Sequence, residues 1–290
     1  LKAGISTYCL VDKLRNEEMS VLDVLDWAKE LGCDHVELVP YGYSLVDNPD
    51  LADEVRDRAA SLGLELSNYA MPANFVHDSE EAFEAEIVRL KQHVDLLVRM
   101  GIPSMRHDVV LFRLPEEETT IEHFHKWLPQ IVTGSQMIAD YAAPFGITTN
   151  IENHGWGVQH SDRVQHVLNQ VDRVNFKTVL DIGNFMCVDQ PSMIGTANNL
   201  PFASIIHLKD FYYRPSHEDP GDGRWFKTVN GNYLRGAIFG QGDLPVRSLL
   251  KLIKGSGYDG YLTLEFEGME ESKEATRIGF ENILRLWQEV

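Results

Sequence analysis

The sequence predicts an α/β protein folded as a single (β/α)8 barrel, and three observations carry that expectation. First, "KELGCDHVEL", "ASLGLELSNY", "VRMGIPSMRH", "APFGITTNIE" and "GSGYDGYLTLE" each close a helical stretch on Gly and then enter an apolar or β-branched run. Glycine just past a helix supplies the left-handed cap that a Cβ would disfavour, and helix alternating with strand is the rhythm of a parallel sheet. Second, filling in between these anchors yields eight strand-length runs separated by helices. Third, no linker, low-complexity tract or composition break divides the chain, so residues 1–290 form one domain. An open doubly wound sheet is the alternative. It usually carries a Gly-rich phosphate fingerprint after its first strand, and "STYCLVDKL" has none.

The elements follow in order. A strand over 3–8 leads to a helix over 20–31, opened by Ser20 and Asp23 in capping-box spacing. A strand at 34–39, a helix at 50–62 and a strand at 64–69 come next. The helix over 79–100 carries Phe83, Ile87, Leu90, Val94 and Leu97 at spacings of three to four, a stripe that belongs to the core. Strands at 102–107, 147–153, 177–182 and 204–209 are separated by helices at 119–143, 161–171 and 191–200. A long segment, about 211–243, then precedes a helix at 245–255, a strand at 261–266 and a helix at 271–289.

Bulk composition narrows the function. The formal net charge of −18 disfavours nucleic acid and anionic membrane surfaces, because a phosphate backbone needs a basic footprint. Three cysteines far apart, without CxxC spacing, make neither a disulfide framework nor a zinc ribbon and suit a reducing cytoplasm. No apolar run approaches the roughly 18 residues that span a bilayer, and the first residues do not read as a signal peptide.

In a (β/α)8 barrel the active site lies at the C-terminal ends of the strands. The fifth strand, in "TTNIENHGWG", puts Asn150, Glu152 and His154 at every second position and so on one face. Polar residues also end other strands: Glu37, Arg106 with His107, Asp181, His207 with Lys209, and Glu265 with Glu267. Glu152, Asp181, Glu265 and His207 on four successive strands put three carboxylates into one small volume. Their repulsion demands a positive partner. A divalent cation is such a partner, and one imidazole with three carboxylates suits a borderline-to-hard metal such as Mn²⁺.

Glu in "IEN", Asp in "LDIGN", His in "IHLKD" and Glu in "LEFEG", on strands five to eight, resemble the xylose-isomerase-like TIM-barrel superfamily of sugar isomerases, epimerases, dehydratases and endonuclease IV-type enzymes. The resemblance spans nearly the whole chain. It implies that Glu152, Asp181, His207 and Glu265 hold one divalent metal, Mn²⁺ first, with Mg²⁺, Co²⁺ and Zn²⁺ as alternatives. It also implies an isomerase or epimerase in which Glu152 and Glu265 remove and return a proton beside a carbonyl, through a metal-stabilised enediolate. A lyase or dehydratase of a keto-sugar, keto-glycoside or inosose is the alternative. A phosphodiesterase or a non-catalytic sugar-binding protein ranks lower.

One departure bears on the choice. Many members have His three residues after the sixth-strand Asp, where this chain has Asn184, and an amide cannot shuttle a proton. His154 and Lys209, each two positions beyond a proposed ligand, are the replacement catalytic candidates. Glu37, Arg106, His107, Trp156, Asn184 and Arg214 are expected to contact a small sugar or cyclitol. The segment 211–243, with its aromatics and mixed charges, reads as a lid or as a contact in a homo-oligomer. "GQGD", Gly240–Asp243, reads as a turn, with a phosphate cradle as the lesser alternative.

Overall fold

The computed structural model describes residues 1–112 and 118–290. Eight parallel strands form the barrel: β1 (Lys2–Ser6), β2 (His35–Leu38), β3 (Glu65–Met71), β4 (Ser104–His107), β5 (Thr148–Glu152), β6 (Phe176–Asp181), β7 (Ala203–Leu208) and β11 (Tyr261–Leu264). They close in the order β1-β11-β7-β6-β5-β4-β3-β2. The intervening β8 (Asp210–Arg214), β9 (Phe226–Lys227) and β10 (Tyr233–Ala237) make a separate antiparallel sheet.

Local chemistry explains the outer ring of helices. Ser20 and Asp23 form a reciprocal capping box at the start of a helix over Val21–Leu31, which satisfies two otherwise orphaned donors. Gly32, Gly63, Gly101 and Gly146 take left-handed φ angles of 89°, 65°, 69° and 69° as each chain turn feeds the next strand. In the helix over Glu80–Met100, Ile87, Leu90, Val94 and Leu97 are buried as one face. Among the described residues no helix is long and apolar enough to cross a membrane.

Two segments differ from the sequence expectation. The first strand stops at Ser6, whose side chain accepts from the Tyr8 amide and turns the chain into a 3₁₀ helix over Thr7–Leu10. The 211–243 segment, expected as a long loop, instead contains the β8-β10-β9 sheet, bonded down onto the barrel rim. Val229 N–H donates to the Cys187 carbonyl and Asn230 N–H to Asp189 Oδ2. Gly236 bridges to Gly268, and a Cβ there would stand 2.7 Å from the Glu267 carbonyl carbon, so only glycine permits the approach. The "GQGD" turn is filled by the chain itself. The Asp210 carboxylate accepts from the amides of Phe211, Gly240, Gly242 and Leu244, which leaves no cradle for a phosphate.

Candidate metal centre

The strand pleat sends alternate side chains into the barrel, and on β5 these are Asn150 and Glu152. Asn150 is structural: its amide donates to Ser104 Oγ at 2.9 Å, deep in the barrel. Glu152, one layer higher, joins Asp181 at the end of β6, His207 on β7 and Glu265 just past β11. One ligand atom from each of these four lies within 4.8 Å of all the others. Cross-strand register aligns them, with Asp181 beside His207 and His207 beside Thr263.

The donor set fits a divalent cation. Asp181 Oδ2, His207 Nδ1 and Glu265 Oε2 are buried without a hydrogen bond. Lys209 Nζ lies 3.3 Å from Asp181 Oδ2 and 2.8 Å from Glu265 Oε2, as ion pairs that lack hydrogen-bond direction. Buried polar atoms left this way are costly, and three of them converge. Glu37, Asp108, Glu152, Asp181, Glu265 and Glu267 outnumber the cationic Arg106, Lys209 and His207 around them. A hard or borderline cation meets both needs with its preferred oxygen and imidazole ligands.

Protonation follows from position. Burial opposes the Glu152 charge, but the Arg106 guanidinium and then His207 hold its carboxyl down to about 2. Burial works against Glu265 too, yet Lys209 and His207 keep it well below the usual carboxylate range. Burial pushes Asp181 up to about 6 against the pull of Lys209, with Glu152 and Glu265 adding to the rise. Burial disfavours a charged His207, but Glu37 and Glu152 together raise it well above an ordinary imidazole.

The expected site residues divide into three groups. Arg106 is in the site: its Nε lies 2.7 Å from Glu152 Oε2 and its Nη2 donates to Asp108 Oδ1 at 2.9 Å. His154 Nδ1 lies 2.8 Å from Arg106 Nη2 and 2.9 Å from Asp108 Oδ1, and its ring stacks on Phe112. Lys209 donates to Asn184 Oδ1 at 3.2 Å, and Asn184 Nδ2 donates to Glu152 Oε1 at 3.1 Å. The residue in place of the family histidine is thus an amide bridge between a lysine and a proposed ligand. Trp156 lies further out, on a second chamber.

Three residues fall elsewhere. Glu37 does not line the cavity. It is fully buried beneath His207, whose Nε2 lies 2.8 Å from Glu37 Oε2, and the same oxygen accepts from Asn68 Nδ2 at 2.8 Å. A register shift between Val36 and Glu37 lets Ser67 and Asn68, consecutive on β3, both reach β2 side chains. His107 faces outward, because neighbours on a strand point to opposite faces. Its ring packs against Phe75, and burial pushes it down to about 4 against the opposing pull of its bond to the Asp108 carbonyl. Arg214 lies on the added sheet, half exposed, 3.3 Å from Asp243 and away from the cavity.

Several lining residues escaped the sequence reading. The inner chamber, about 100 Å³, is also bordered by Tyr8, Tyr41, Met71 and Asp108. Tyr8 and Asp108 each lie within two residues of a strand end, the one signal that marks them. Burial, with Glu267 and Glu265 adding, pushes the Tyr8 hydroxyl up to about 12, so it stays a hydrogen-bond donor.

Comparison with known proteins agrees with this architecture. No curated protein matches the chain. A probable 3-DHS dehydratase from Bacillus anthracis superposes with a TM-score of 0.76 at 15% identity, covering 98% of this chain and 99% of the other. A D-allulose 3-epimerase from Methylomonas sp. gives 0.72 at 16% identity, over 99% and 98%. A 3-keto-D-glucoside 4-epimerase from E. coli gives 0.70 at 15% identity, over 99% of each chain. At such identities the likeness is one of fold. The family description "Xylose isomerase-like TIM barrel" matches residues 25–286, and the chain belongs to that family.

Proposed function

We propose that this chain is a divalent-metal-dependent enzyme that removes a proton beside the carbonyl of a polyhydroxylated small molecule, a sugar or cyclitol. The observation that carries the reading is the convergence of Glu152, Asp181, His207 and Glu265, three of which border a cavity that His154, Lys209 and Glu267 also line. A cation held by Glu152, Asp181, His207 and Glu265, Mn²⁺ first among Mn²⁺, Mg²⁺, Co²⁺ and Zn²⁺, would supply Lewis-acid polarisation of the carbonyl.

The chain's own residues supply the rest. Isomerisation or epimerisation is the first reading. Glu152 and Glu265 flank Asp181 and His207 from β5 and from the end of β11, on either side of the two strands between them. In this reading one glutamate takes the proton and the other returns it. Arg106 and Lys209 each hold one of the pair in place. Neighbours of the same fold carry both chemistries in their names, two epimerases and a dehydratase.

A second reading, a lyase, is favoured by one specific contact set. His154 lines the inner chamber with Nδ1 either donating to Asp108 or accepting from Arg106, according to its tautomer, the posture of an oriented acid or base. Lys209 lines the same chamber, 2.8 Å from Glu265. In that reading His154 takes the proton and the Lys209 ammonium protonates the departing β-oxygen. The three cysteines are buried free thiols, which supports a cytoplasmic setting.

The test is a solvent-deuterium wash-in screen with metal-loaded protein against ketoses, keto-glycosides and inososes. Deuterium beside the carbonyl in recovered substrate or product supports the reading. A panel without exchange, on protein shown to hold metal, refutes it.

A further inference from the structure

Beside the inner chamber lies a second one of about 470 Å³. The two share Tyr8, Phe112, His154, Lys209 and Glu267, so they adjoin at those side chains. Small-molecule sites typically run roughly 300–1,000 Å³ with aromatic walls and a few placed polar groups. The outer chamber alone falls in that range. Of the four converging ligands, three border the inner chamber and none lines the outer one, so the outer volume lies beyond the reacting centre.

The outer walls are specific. Tyr8, Phe112, Trp156 and Phe226 give it aromatic surfaces, and Gln159, Asn184 and Arg224 give it polar groups. Trp156 holds a left-handed φ of 61°, a strained conformation for a bulky residue. Its amide is fixed at 2.7 Å on Gln159 Oε1, and buried Gln159 donates in turn to the Asn184 carbonyl at 2.6 Å. Strain of this kind persists where surrounding structure over-determines it, commonly at ligand clamps. The opposite wall comes from the added sheet: Phe226 rests edge-on against Phe211 at 5.8 Å between centroids. Two distant parts of the chain, one strained and one inserted, therefore present rings to the same space.

We infer that the outer chamber is a binding subsite for a second ring, so that the substrate is a glycoside whose reacting sugar enters the inner chamber. A ring with an apolar face and a polar edge matches aromatic walls bordered by amide and guanidinium groups. A pyranose and an aromatic aglycone share that chemistry. The inference rests on the proposed function for the identity of the inner ring, while the outer subsite is readable by binding alone.

The experiment uses the metal-loaded full chain and three probes: a keto-hexopyranose, its phenyl glycoside and the matching keto-disaccharide. Calorimetry reads affinity and solvent deuterium incorporation reads chemistry. At least one two-ring probe is expected to bind on the order of tenfold more tightly than the one-ring probe, the scale of one added ring contact. Which of the two gains identifies the outer ring. In Phe226→Ala and in Trp156→Gly, where glycine relieves the backbone strain, the two-ring to one-ring affinity ratio should fall towards one. Equal affinity for all three probes in the parent overturns the subsite, even if the one-ring sugar exchanges deuterium. An unchanged ratio in both folded variants overturns it too. Preferential two-ring binding without exchange supports the subsite and refutes the proton-abstraction reading.

Discussion

Replacing Glu37 by Gln should weaken metal binding without touching the cavity. In the structure Glu37 Oε2 accepts from Asn68 and faces His207 Nε2 at 2.8 Å, fully buried. That contact holds a proton on Nε2, so Nδ1, 3.4 and 3.6 Å from Glu152 and Glu265, is the nitrogen that would give up its proton to a bound cation. A carboxylate behind a ligating histidine fixes its tautomer and raises its basicity, and losing it typically costs about 10–100-fold in metal affinity. That range corresponds to about 1.4–2.7 kcal/mol. Gln keeps the size and one acceptor oxygen but removes the charge, so the loss should fall within that range and not abolish binding. The assay is chelator competition for Mn²⁺ and Co²⁺ at alkaline pH, where protons compete least for His207. A Co²⁺ absorption spectrum checks that ligation is otherwise kept. Parent-like affinity in folded Glu37→Gln would refute the positioning role.

The remaining predictions concern the ligands, the acid–base candidates and the rim. Asp181→Ala should lose bound metal by elemental analysis of protein purified without chelator, and equal content in the two proteins would sink the four-ligand site. If Glu152 and Glu265 form the proton shuttle, His154→Gln should retain solvent deuterium exchange. If the enzyme is a lyase that depends on His154, turnover should drop by about 10²–10⁴-fold with metal still bound. Asp210→Ala removes the acceptor of four backbone amides at the base of the added sheet. It should destabilise the protein by about 3 kcal/mol in urea unfolding, and a loss under about 1 kcal/mol would show that the turn holds without it.

The barrel was legible because its signals are local. A glycine cap is read from one residue, and the apolar stripe of the Glu80–Met100 helix from five, so helix ends and strand starts follow without tertiary knowledge. The added sheet was not legible. Phe226–Lys227 is too short for a period to register, and its place is set by rim contacts such as Asn230 with Asp189 that no sequence window spans. The convergence of Glu152, Asp181, His207 and Glu265 was legible because each lies near the end of a strand of the same sheet, and the closed topology brings those ends together.

The misplaced residues show how far the strand-end rule reaches. It marks a level, and the pleat marks a face, but the two must be applied together. Arg106 and His107 adjoin on β4, so they cannot both face the cavity, and the guanidinium takes the inner face because Glu152 and Asp108 are there to neutralise it. Glu37 passes both tests, facing inward near a strand end, and still lies beneath the site. Strands of a barrel are staggered, so the last inward residue of one strand can sit a layer below that of another. On β2 that residue meets the back of His207, and the bulge that brings Asn68 to it depends on pairing with β3. Its role is therefore fixed by stagger, a property of the closed sheet that no single strand contains.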